Sequence, residues 1–151
     1  MHPPSLFCPI RKIWVKSLPE ERVRQALIQE MIRRLGFPAS SMTIEKQLSK
    51  LPHLQHKTKI PNRRADLIVF AQGLHVDHPF YPLLLAECKA VPLTPAVLRQ
   101  IVGYNQFVAA KFIVAANETS IYLGYYHKES NNFIFKQGLL PYDTLLYLAS
   151  K

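Results

Sequence analysis

The sequence predicts a single α/β domain with a mixed central sheet flanked by helices. Three observations carry this reading. Apolar residues from Val23 to Leu35 recur at helical spacing. Two short apolar runs, Asp66–Phe70 and Leu83–Lys89, have the length and composition of neighbouring strands. A second helical stretch after Thr94-Pro95 is followed by further strand-like runs. At 151 residues the chain can bury one real core. Its 48% hydrophobic and 19% charged residues place it with globular rather than disordered chains.

Taken in order, residues 1–16 read as an N-terminal extension and 17–151 as the domain. Ser17-Leu18-Pro19-Glu20 reads as a helix start, with Ser17 as cap, Pro19 in the first turn and Glu20 as its capping-box partner. Val23, Leu27, Ile28, Met31, Ile32 and Leu35 form the buried stripe, and Gly36 with Pro38 ends the helix. Arg22, Arg33 and Arg34 lie off that stripe, and Glu30 is expected to pair with Arg33 or Arg34. Met42–Leu48 alternates as a strand does, and the polar segment 49–62 reads as loop. The connection 71–82 is long for a hairpin, but Gly73 and Pro79 suit it. The second helix is expected to run from Pro95 to about Lys111 on Val97, Ile101, Val102 and Val108. Strands are expected at 112–115, 121–126 and 133–135, with a closing helix over 141–149. No internal repeat, low-complexity tract or second domain is visible.

Composition narrows function. No apolar run approaches the ~18 residues of a membrane helix, and the start lacks a signal-peptide core, so no membrane partner and a cytoplasmic location are expected. Cys8 and Cys88 form neither a disulfide framework nor a CxxC zinc spacing, and Cys88 is expected to be a buried thiol. His53, His56, His75 and His78 lie in expected loops without a matching second half of a zinc site. Tyr122, Tyr125 and Tyr126 read as strand core and edge rather than a base-stacking surface. No GxxxxGK[ST] loop occurs, so no ATPase motor is expected. The net charge of +9 favours polyanions.

The chemistry gathers on the two central strands. Alternate residues of a strand share a face, so Glu87 and Lys89 point one way and Cys88 the other. Asp66 on the neighbouring strand could complete an acidic pocket beside the lysine. The plain alternatives are a strand-end turn residue for Asp66 and an exposed same-face ion pair for Glu87 and Lys89. Gln100 and Tyr104 are four apart and share a helix face, as catalytic neighbours or as a half-buried polar pair. Arg63 and Arg64 could grip phosphate or remain solvated loop charges.

A helix with Pro19-Glu20-Glu21 and Val23-Arg24-Gln25, then Arg64-Ala65-Asp66, then Glu87-Cys88-Lys89 with Ala90, then Gln100 with Tyr104-Asn105 resembles the PD-(D/E)XK nuclease superfamily. Within it the sequence is most similar to the nuclease domain at the N-terminus of type I restriction enzyme R subunits, over residues 19–117. The resemblance implies a restriction-endonuclease-like fold and Mg²⁺, or Mn²⁺ in its place, held by Asp66, Glu87 and the backbone carbonyl of Cys88. It also implies Lys89 assisting the attacking water, Glu21 reaching the metal or its waters, and Gln100 and Tyr104 beside the site contacting DNA or the lysine. Ala116 and Glu118 depart from the family's Thr-Asn-Gly turn around Asn117.

The function expected is metal-dependent hydrolysis of DNA phosphodiesters, with RNA as an alternative substrate of the same site. The runner-up is an inactive nucleic-acid or protein-interaction module of the same fold. This chain has no room for the motor, so the expectation is either a stand-alone relative or a domain that partners a translocase or restriction-type subunit supplied elsewhere. Oligomeric state is not legible.

Overall fold

Proline decides where the first helix begins. The computed structural model describes residues 3–151, and in it α1 spans Pro19–Arg33. The residue before a proline is held extended, so Leu18, at φ −81° and ψ 157°, is the cap and Pro19 takes the first helical position. This corrects the expectation for Ser17 and Glu20: Ser17 lies one residue too early, its Oγ makes no hydrogen bond, and its carbonyl accepts from the Arg22 guanidinium at 2.6 Å. Glu30 and Arg34 pair at 3.2 Å as their spacing implied. Gly36, at φ +73°, turns the chain away, and Phe37 N–H reaches back to the Met31 carbonyl.

The N-terminal extension forms a hairpin of its own, β1 (Ser5–Cys8) and β2 (Ile13–Lys16). The main sheet has six strands in the order β3-β4-β5-β6-β7-β8. These are β3 (Met42–Gln47), β4 (Arg64–Ala71), β5 (Tyr81–Cys88), β6 (Phe112–Ala116), β7 (Ile121–His127) and β8 (Asn132–Gln137). Only β5 and β6 are parallel, because the crossover helix α2 (Pro95–Val108) lies between them. The closing helix α3 spans Tyr142–Ala149.

Helices cover both faces, as a sheet buried on two sides requires. On one face α1 and α3 pack Leu27, Ile28, Met31 and Leu145 against Leu67, Val69, Leu84, Ala86 and Val114. On the other, α2 packs Ile101, Tyr104 and Val108 against Ile68, Leu85, Ile113 and Ala115. The central strands are therefore continuous apolar runs rather than alternating ones. Among the described residues no helix is long and apolar enough to cross a membrane.

Two stretches differ from expectation. The segment read as loop contains tight turns at Leu48–Lys50 and Pro52–Leu54, which bury Leu48, Leu51 and Leu54 under α2. Helix α2 stops at Val108, short of Lys111. Thr94 caps its start through Val97 N–H, and Ala109 ends it in the left-handed conformation at φ 58°. The Asn105 side chain locks that ending by bonding both N–H and C=O of Ala110.

Candidate functional site

The β4–β5 ladder ends at the pair Leu67↔Ala86. One step further along each strand stand Asp66 and Glu87. Asp66 Oδ2 accepts the Cys88 N–H at 2.8 Å, so a side-chain carboxylate takes over where the backbone ladder stops. Lys89 follows directly, pinned to the end of β6 by its N–H on the Ala116 carbonyl at 2.8 Å. Asp66, Glu87 and Lys89 thus gather at one end of adjacent strands.

Glu87 is the unusual member. It is 3% exposed, and its Oε1 is buried without a hydrogen-bond partner. Burial first, and the neighbouring Asp66 second, push its carboxyl up to about 9. Arg63 and Lys89 pull the other way. A proton on Glu87 supplies the hydrogen bond that two bare carboxylates lack.

Arg63 brings β4's approach to α2. Its guanidinium lies 3.8 Å above the Tyr104 ring and 3.9 Å from Glu87 Oε2. Tyr104 is itself buried, and burial and Glu87 both raise its phenol. The resemblance gave Tyr104 contact with DNA or the lysine; here Arg63 covers the ring, and the guanidinium is the exposed group. Arg63, Lys89, Gln100, Tyr104 and Phe107 line one cavity of about 340 Å³, so Gln100 and the lysine border the same space. Arg64 is exposed at the start of β4, opposite Gln47. Cys88 is buried, and burial pushes its thiol well above the usual range.

Glu21 stands behind this group rather than within it. Its Oε1 receives Arg11 at 2.9 Å and Arg24 at 3.3 Å, and its Oε2 receives Gln25 at 3.1 Å. Burial works to raise this carboxyl, but the hydrogen bonds from Arg11 and Gln25 outweigh it and hold it below the ordinary range. Arg24 then continues to Glu45 at 3.2 Å and Asp66 at 3.4 Å. Arg24 therefore separates Glu21 from Asp66, where the resemblance implied a further metal ligand.

Sequence reasoning missed Glu45, and it placed Arg24 within the family resemblance without giving it a role. Arg24 is 5% exposed and joins three carboxylates. Its place three residues after Glu21, on the same helix face, was the available signal. Glu45 sits in β3 at φ 52°, between the pairs Ile44↔Leu67 and Lys46↔Ala65. A left-handed glutamate in a strand has no sequence signature.

The loop histidines do meet. His53 and His75 pack their rings with His78 and Tyr81, and His53 Nε2 donates to the Val108 carbonyl at 2.7 Å. Among the described residues no group of three or more His, Cys, Asp or Glu side chains is arranged as a metal site.

An α/β sheet that sets an aspartate against a Glu-x-Lys run on the next strand has the arrangement of the PD-(D/E)XK nucleases. Residues 19–139 match the family described as type I restriction enzyme R protein N terminus (HSDR_N), and the chain belongs to that family. No curated protein and no solved structure matches it. The match runs from α1 through β8 and so includes every residue of the carboxylate–lysine group.

Proposed function

We propose that the chain is a Mg²⁺-dependent nuclease domain that hydrolyses DNA phosphodiesters. The observation that carries this reading is the buried Glu87 carboxyl held beside Asp66, with one oxygen unpartnered, between Lys89 and Arg63. Burying such a group unpaired costs stability. A site that places it against a second carboxylate and two cations is built to exchange a proton for a harder charge. The donors fit Mg²⁺, or Mn²⁺, which favours carboxylate and carbonyl oxygen. Asp66, Glu87 and the carbonyl of Cys88 would hold it; three side chains are not needed when a backbone oxygen is the third donor.

When bound, the metal would lower the pKa of a water and offset charge on the phosphate. The chain's own groups do the rest. Lys89 Nζ neutralises charge that develops on the scissile phosphate and steadies the attacking water. Arg63, stacked on Tyr104 and half-exposed, orients the phosphodiester by its paired N–H groups. Gln100, exposed on the cavity wall, contacts the strand being cut. Arg24 holds Asp66 from behind, and Glu21 in turn holds Arg24.

One observation favours the inactive-module reading: Arg24 already neutralises Asp66 at 3.4 Å. Plasmid nicking separates the two. Wild-type protein with Mg²⁺ is expected to cut, Lys89→Ala to cut about 10²-fold more slowly, and Asp66→Ala to fall to background. Equal trace nicking by all three sinks the enzymatic reading. The same assay on RNA tells which polymer is preferred. A translocating restriction subunit is the partner class the family suggests, and its addition would raise cutting if the domain works within such an assembly.

A further inference from the structure

The β1–β2 hairpin turns its largest side chains the wrong way for a packing element. Phe7 pairs with Trp14 and Ser5 with Lys16, so these four share one face, and all four are exposed. Trp14 is 70% exposed and Phe7 46%. Their rings meet edge to face at 5.4 Å, which leaves a broad face of Trp14 open. The opposite face packs in part, with Cys8 fully buried and Leu6 and Val15 partly so, while Ile13 beside Cys8 is 51% exposed. A cross-strand aromatic pair does stabilise a hairpin, but the same pair on the inner face would have been buried as well.

Charge singles out the kind of partner. No Asp or Glu precedes Glu20, whereas Arg11, Lys12 and Lys16 all lie on the hairpin. An apolar protein partner needs no such bias; a phosphate-bearing one does. Position singles it out further. Arg11, in the turn four residues after Phe7 and three before Trp14, donates to Glu21, which meets Arg24, which meets Asp66. The hairpin is thereby tied by charge contacts to the carboxylate group.

We infer that Trp14 and Phe7 form a stacking site for the unpaired bases of a single nucleic-acid strand, with Lys12 and Lys16 on its phosphates. The inference rests on the nuclease reading for its choice of polymer. Duplex bases present only their edges, so a single-stranded or unpaired segment is the ligand. Base–aromatic stacking tolerates any sequence, because every base has a π-face.

Trp14 is the only tryptophan, so its emission reports this site alone. The intact chain is titrated in EDTA at low salt with a short oligothymidylate, the matching duplex and inorganic polyphosphate. Binding is followed in parallel by anisotropy of a labelled oligonucleotide. The expected result is quenching of Trp14 by the single strand, little by the duplex and none by polyphosphate. Trp14→Leu and Phe7→Leu are each expected to weaken single-strand binding by about 5- to 150-fold, with thermal melts showing that both variants fold. Binding without a change in Trp14 emission overturns the proposal, as does full affinity in Trp14→Leu or equal quenching by polyphosphate. So does emission that follows protein concentration instead of oligonucleotide, which marks a self-association surface. The titration needs no metal and no cutting, so it can succeed where plasmid nicking fails, or fail where nicking succeeds.

Discussion

Glu87→Gln is expected to lower cleavage by about 10³-fold and to weaken metal uptake while leaving the metal-free fold at least as stable as wild type above neutral pH. Burial, then Asp66, raises the Glu87 carboxyl from the ordinary 4.5 to about 9. Between those two values the folded chain binds a proton that the unfolded chain has already released. Stability therefore falls as pH rises through that window, by at most about 1.4 kcal/mol per pH unit. The contribution is fully present below the ordinary carboxylate range and is lost on passing the folded value. Glutamine has no proton to lose, and its amide can donate to Asp66 as the protonated carboxyl does. Denaturation between pH 6 and 9 should show wild-type stability sloping downward and the variant's slope reduced. The loss of a charged ligand should lower nicking by about 10³-fold, the several kcal/mol that a Lewis acid supplies. Calorimetry near neutral pH, in buffers of different ionisation enthalpy, should find close to one proton released per Mg²⁺ bound by wild type. A variant as pH-sensitive as wild type, together with metal binding that releases no proton, would show that Glu87 is not held neutral.

Legibility in the sequence followed the range of the interactions involved. The two central strands could be read because their apolar runs are buried on both faces and end on charged residues, and the period of two then fixed Glu87 and Lys89 on one side. Asp66 could be placed beside them because only one more strand had to be assigned. The Ser17 cap failed on a local rule, since Pro19 governs its predecessor more strongly than a hydroxyl competes for a cap. Leu48, Leu51 and Leu54 repeat every three residues, the period of a 3₁₀ turn, and that spacing could have exposed them. The hairpin gave no signal because Phe7, Ile13 and Trp14 stand exposed, against the usual inward pattern. The end of α2 depends on Asn105 gripping Ala110, a contact that holds Ala109 where glycine is normally needed. Arg24 left a trace in its spacing from Glu21 on α1, but its meeting with Glu45 and Asp66 required three elements to converge, which no single element's pattern records.

That convergence gives Arg24 a second expected effect. Its guanidinium lies 3.3 Å from Glu21, 3.2 Å from Glu45 and 3.4 Å from Asp66, with the side chain 6% exposed. Arg24→Met keeps the volume and removes the charge, leaving three carboxylates without their shared cation. Breaking one side of a buried pair costs about 3–5 kcal/mol. Glu45 is 45% exposed and Asp66 24%, so solvent screens part of this and about 2–3 kcal/mol is the expected loss. For a domain of this size that is a fall of roughly 4–12 °C in Tm. The double variant Arg24→Met/Glu21→Gln should recover part of the loss, because the carboxylate most enclosed by arginines is then neutral. Mg²⁺ separates a positioning role from a packing role. With Arg24 absent, the freed Asp66 Oδ1 should bind the dication more tightly, and the metal should restore more stability to the variant than it adds to wild type. A variant that melts early yet gains no more from Mg²⁺ than wild type would place Arg24 in the fold alone, and a Tm unchanged by Arg24→Met would dissolve the network altogether.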